Sequence, residues 1–247
     1  MSQAVNTQLR SAQEIIREAQ VNQAPNGICY TTSGQIMLPS DDLERIVGAV
    51  PRTIAAAMDR KAFYFVPLTL ADGDKTLVAE RFEGPPLEGA LCHRNIDSGN
   101  AQCVFISTRL LQERFAIAFE FYINVAHAFV DKAGISAEFA ELVWSQALKN
   151  VRGETSFDAY DLRKQVQASS GTRVDERAKS SYLETTFSDA IAIYLLSLSQ
   201  DVDYDDFKER EYPLLAPPAL AERLKKVAEL FPPNPGFQFN IFYRRRS

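Results

Sequence analysis

The chain holds two histidines, His93 and His127, and three cysteines, Cys29, Cys92 and Cys103, so side-chain chemistry has few places to start. His127 stands in FEFYINVAHAFVDKAG, Phe119 to Gly134, whose composition is that of a buried helix. An imidazole on such a helix becomes half of a zinc chelate when a second imidazole stands four residues away on the same face. Four residues before His127 the chain has Ile123, which coordinates nothing. A glutamate beside that position would take a proton from zinc-bound water, but Asn124 stands there and has no basicity near neutral pH. Glu120 is two turns from His127, about 10 Å along the axis at a 1.5 Å rise per residue, too far to share an ion. His93, on a hairpin before the helix, is the other imidazole that can approach the same cleft. On pattern alone, an isolated histidine on an apolar helix is a hydrogen-bonded core residue.

Nucleophile chemistry has thinner support. Cys92 and His93 are adjacent on a predicted strand, where neighbours point to opposite faces, so they cannot pair there. A pairing of Cys92 with His127 is geometrically unconstrained. Neither GxGxxG nor GxxxxGK[ST] occurs, so no phosphate-cradling loop is predicted.

The elements that must position these groups follow from hydrophobic period and turn residues. Thr7 to Val21 reads as an amphipathic helix, and Gln23 to Pro39 as a loop with a short hairpin. Ser40 and Asp41 cap a helix from Leu43 to Val50, and a second short helix runs from Thr53 to Arg60. AFYFVPLTL is a strand candidate, turned at Asp72-Gly73-Asp74 into a partner, Thr76 to Phe82. ALCHRN and QCVFIS flank the turn Asp97-Ser98-Gly99-Asn100 as a hairpin. Leu110 to Lys132 reads as one long buried helix ended by Gly134, and Ser136 caps the next, Ala137 to Asn150. Arg152 to Ser181 is polar and turn-rich and reads as an exposed loop, a candidate lid or binding loop. Buried helix Thr186 to Leu198, amphipathic helix ALAERLKKVAELF and a closing strand, GFQFNIFYR, complete the chain.

The order strand VFIS, helix FEFYINVAHAFVDKAG, polar segment, helix TTFSDAIAIYLLS resembles the catalytic core of zincin metallopeptidases, particularly the anthrax-lethal-factor-like branch. AHAFVDKAG, Ala126 to Gly134, matches the second half of the His-Glu-x-x-His helix, and FSDAIAIYL, Phe187 to Leu195, matches that family's third-ligand helix, F-x-E-A-x-A. The resemblance covers Val50 to Leu230. It implies an α+β, zincin-like fold, helix-rich with a small mixed sheet. It also implies that Ile123 and Asn124 stand where the first zinc ligand and the general base belong, with the motif eroded to INVAH. His127 keeps the second ligand position. Asp189 takes the third, one methylene shorter than glutamate. Zinc wants three protein ligands and a water; two ligands and no base remain.

This vestigial site, Ile123, Asn124, His127 and Asp189, therefore implies a catalytically inactive pseudoenzyme that acts as a binding module for a protein or peptide partner. Ile123 is expected to fill the vacated space as a core residue, and Asp189 to pair with His127, because an unpaired buried carboxylate is costly. Tyr122 and Tyr194 are expected as aromatics packed in or beside the core. No cofactor is expected. The alternative is a divergent metal-dependent hydrolase holding zinc through His127, Asp189 and a further group; a second alternative is a mainly helical scaffold unrelated to zincins.

The totals bound the rest. The chain has 247 residues, 46% hydrophobic and 24% charged, with net charge −5, which suits a soluble globular protein without a general attraction to nucleic acid or anionic lipid. Residues 1–40 read as an N-terminal helix and loop extension, and 41–247 as the zincin-like domain, in one globular unit overall. Arg244, Arg245 and Arg246 read as a solvated tail. Three cysteines without CxxC spacing argue against a disulfide framework and a cysteine-built zinc site. Neither a secretory signal nor a membrane-spanning run is visible, so a reducing cytoplasm is the expected compartment, with specialised secretion signals outside the reach of this argument.

Overall fold

The computed structural model describes residues 9–84, 88–168, 175–204 and 212–240. The chain is α+β, with two small sheets followed by long helices. It divides into two compact units, Met1–Phe121 and Tyr122–Ser247.

The first unit is built on two sheets. β2 (Asn22–Gln23), β3 (Cys29–Thr32), β4 (Lys61–Val66), β9 (Ala101–Ser107) and β8 (His93–Ser98) form a mixed sheet in that order. β3, β4 and β9 run parallel, while β2 and β8 are antiparallel edges. The inner strands β4 and β9 are flanked on both sides, and this explains their runs without polar alternation: Phe63 to Val66 and Cys103 to Ser107 are buried. Tyr64 stacks on Phe105 across the two strands at 4.7 Å between ring centroids.

β1 (Leu9–Ser11), β6 (Lys75–Ala79), β5 (Leu68–Asp72) and β7 (Ala90–Leu91) form the second, antiparallel sheet. AFYFVPLTL is thus two strands, not one. Pro67 cannot donate to a ladder, and at that residue the chain leaves one sheet for the other. Ser107, at the end of β9, ties the two together: its hydroxyl accepts from Thr69 N at 2.8 Å and donates to Leu91 O at 2.5 Å.

Four short helices among the described residues belong to this unit. α1 (Ala12–Glu18) is shorter than predicted because β1 takes Leu9–Ser11, and Ser11 starts it with a capping box to Glu14. α2 (Ser40–Gly48) begins three residues before Leu43, and neither Ser40 nor Asp41 is its cap, since Pro39 occupies that position. α3 (Arg52–Ala55) continues as a 3-10 turn, Ala56–Met58. α4 (Thr108–Leu111) ends at Gln112, whose φ of 61° breaks the predicted helix before α5 (Arg114–Ala133) begins.

The second unit is helical. Its helices after α5 are α6 (Ala137–Leu148), α7 (Phe157–Ala168), α8 (Glu176–Ser199) and α9 (Pro217–Leu230). The predicted loop from Arg152 to Ser181 is therefore largely helix: α7 lies inside it, and α8 starts about ten residues earlier than expected, with Asp175 accepting from Arg177 N and Ala178 N as its cap. Its centre, 169–174, lies outside the described residues. The closing strand is absent from 237–240; Phe239 packs its ring on Tyr194 at 5.2 Å, while Ile241, Tyr243 and the three arginines lie outside the described residues. Phe139 and Phe187 pack α6 on α8 with ring centroids 4.6 Å apart, and Phe231 lies against Phe129 and Phe187. No helix among the described residues is long and apolar enough to cross a membrane.

Candidate functional site

The site grows from a turn the sequence disguises as loop. Gly153 has φ +83°, and a Cβ there would lie 2.1 Å from Leu214 O, so only glycine allows this approach. The approach lets Glu154 bridge to Leu214, donating to Pro213 O at 3.1 Å and accepting from Leu215 N at 2.9 Å. Glu154 then points inward and is fully buried, while the next two residues, Thr155 and Ser156, reach Asp189 on α8.

Thr155 Oγ1 donates to Asp189 Oδ2 at 2.7 Å. Ser156 lies close enough to the Asp189 carboxyl to lower its pKa, while its Oγ accepts from Ala159 N at 3.1 Å and thereby caps α7. One serine therefore sits between the start of α7 and the middle of α8. Asp189 keeps some exposure as a residue, yet its carboxyl is enclosed, and desolvation raises its pKa to about 6. The Ser156 and Thr155 hydroxyls and the charges of His127 and Arg223 oppose that rise without cancelling it.

His127 is thus close enough to act on Asp189 electrostatically, but it is exposed, and its ring makes no hydrogen bond to another described residue. The two expectations of a core histidine and a paired His–Asp couple are both corrected. Asp189 has a hydroxyl partner in Thr155 instead, so it does not need the imidazole. Ile123 and Asn124 are half-buried, so Ile123 is not the fully enclosed core residue expected. Tyr122 and Tyr194 are buried as expected, and the Tyr194 hydroxyl donates to Phe231 O at 2.6 Å.

These residues fit a metal poorly. No three His, Cys, Asp or Glu side chains among the described residues are grouped to hold an ion. Asp189, the carboxylate expected as a ligand, already accepts a hydrogen bond from Thr155.

His93 belongs to a separate pair in the first unit. Its Nδ1 lies 2.5 Å from Glu120 Oε1, and that hydrogen bond, set against partial burial, raises its pKa. Cys92 is an exposed thiol whose pKa is pushed up by desolvation and then by Glu120, the opposite of nucleophile activation.

Sequence reasoning missed the polar centre of the second unit. Arg223 on α9 is fully buried, donating from Nη1 to Glu154 Oε2 at 2.9 Å and from Nε to Gln146 Oε1 at 2.8 Å. Arg163 Nη1 is 3.1 Å from Glu154 Oε1, and the Tyr182 hydroxyl donates to the same oxygen at 2.5 Å. The signal was faint: Arg223 falls on the apolar face of ALAERLKKVAELF, while Glu154 is hidden among turn residues.

Comparison with protein-family models, curated proteins and solved structures found no match for this chain.

Proposed function

We propose that this is a zincin-like domain in which metal chemistry has given way to binding, a pseudoenzyme that engages a protein or peptide through the surface around His127 and Asp189. The observation that carries the reading is the state of Asp189. A carboxylate at the third-ligand position of a working site turns toward the metal, whereas this one is held by Thr155. The order β9, α5, α8 along the chain, strand then His127 helix then Asp189 helix, supports the ancestry. With Ile123 and Asn124 in place of ligand and base, the residues leave no route to an activated water. The exposed imidazole of His127 is the group at this surface that a polar peptide group would meet, while the Asp189 carboxyl stays enclosed.

Three measurements on the purified chain test this. Zinc content after dialysis should be far below one ion per chain, and quenched-fluorescent peptide pools with added zinc should show no chelator-sensitive cleavage. Near-stoichiometric zinc, or chelator-sensitive cleavage lost in His127→Ala, would establish the metal-dependent hydrolase instead. Peptides selected by display on the intact chain should bind His127→Ala at least tenfold more weakly; peptides indifferent to that change would place binding elsewhere.

A further inference from the structure

A cavity of about 200 Å³ opens in the second unit between α6, α7 and α8. Trp144, Ala147, Leu148 and Val166 make apolar walls, and Arg163 and Tyr182 line it from the polar centre. Leu148 is 66% exposed, an apolar side chain standing at the mouth. A dry engineered cavity of about 150 Å³ already admits benzene, so this space suits a ligand of roughly that size with one polar group added.

Arg163 decides what that polar group is. Its side chain is only 9% exposed, yet all of its bonds leave from one nitrogen: Nη1 donates to Val151 O at 2.7 Å, Gly153 O at 3.1 Å and Glu154 Oε1 at 3.1 Å. Nε and Nη2 have no partner among the described residues, and neither is sealed off from open space. A buried guanidinium with unused donors is costly unless a ligand or water takes them. The local charge also favours an anion. Two guanidinium groups, Arg163 and Arg223, converge on the single carboxylate Glu154, and Lys179 Nζ, 3.9 Å from Glu176 Oε2, sits 4.5 Å from the centre of the ring of Trp144, which lines the cavity.

We propose that this cavity is a binding site for a small organic anion, a monocarboxylate with an aromatic or compact apolar body. The carboxylate takes the free edge of Arg163, whose planar fork matches it. The body lies between Trp144, Leu148 and Val166. This site is independent of the Asp189 reading and stands or falls separately.

Trp144 is the chain's single tryptophan, so its fluorescence reports on this cavity directly. The probe is sodium benzoate, with benzyl alcohol as the neutral match, titrated into the full chain at constant ionic strength. Benzoate should change Trp144 emission saturably, and benzyl alcohol should bind at least about tenfold more weakly, as expected for a charge-assisted bond. Val166→Phe, which fills the cavity, should abolish the response. Leu148→Glu, at an exposed position that folding tolerates, should weaken benzoate about three- to tenfold by repulsion, and Leu148→Lys should strengthen it. A non-saturable response, equal binding of benzyl alcohol, or benzoate affinity unchanged in Leu148→Glu overturns the proposal.

Discussion

Replacing Asp189 by asparagine should stabilise the protein, and by an amount that depends on pH. In the folded chain the carboxyl has a pKa of about 6, raised mainly by desolvation from an ordinary value of 3.8. The folded state therefore holds this proton more tightly than the unfolded state does. Its contribution is fully favourable below pH 3.8 and is lost as pH rises through 6. A difference of about two units corresponds to about 3 kcal/mol at 1.36 kcal/mol per unit, the cost of keeping Asp189 ionised at pH 8. Asparagine has nearly the same shape, still accepts from Thr155 Oγ1 and carries no charge. The groups facing the position are Thr155, Ser156, His127 and Arg223, and their opposing effects are already contained in the shift. Asp189→Asn should then exceed the parent by up to about 3 kcal/mol at pH 8, with about half of that gap closed at pH 5. Urea unfolding at a series of pH values, followed by circular dichroism, measures both. A gap that does not change with pH, or a variant less stable at pH 8, would refute the account of this carboxyl.

Three further outcomes follow from the geometry. Gly153→Ala should cost about 3 kcal/mol or more, because φ +83° and the 2.1 Å approach of Leu214 O both oppose a side chain; thermal unfolding checks it. Glu154→Gln should cost about 3 to 5 kcal/mol, since it leaves Arg223 buried without a counter-charge; urea denaturation gives the value, and a loss under about 1 kcal/mol would mean water reaches that centre. His93 should titrate above the usual histidine range by NMR and return toward it in Glu120→Gln. Its contribution to stability is present below the unfolded histidine pKa and lost as pH rises through the folded one, and the 41% exposure of the His93 side chain keeps it within about 1 kcal/mol.

Much of the fold was legible. The hairpin of β8 and β9, the apolar core of α5, the Gly134 stop and α6 follow from period and turn chemistry, because those residues are both locally and globally consistent. Ser11-x-x-Glu14 was a readable capping box that marks where α1 begins. The split at Pro67 was less so, since a proline inside an apolar run marks a break without saying that two sheets meet there. α7 was hidden because its outward face is polar and its buried residues are Ala159, Arg163 and Val166, one of them charged. The candidate site was legible by residue type but not by partner. His127 and Asp189 lie near each other, but the hydroxyls of Thr155 and Ser156, set by the Gly153 turn more than thirty residues upstream, decide what Asp189 does. No periodicity records a tertiary hydrogen bond of that kind.

We propose that His127 and Asp189 occupy two ligand positions of a former zinc site. Calorimetric titration of zinc into the double variant Ile123→His, Asn124→Glu tests it most directly. That change restores an imidazole four residues before His127 on α5, on the same helix face, and a carboxylate beside it. Structural zinc sites bind with about 10 to 16 kcal/mol of apparent free energy, so even a strained three-ligand site should bind measurably. The double variant should bind one tight zinc per chain, the parent none, and adding Asp189→Ala should abolish that binding. A folded double variant that binds zinc no better than the parent, or that keeps its zinc without Asp189, contradicts the zincin ancestry.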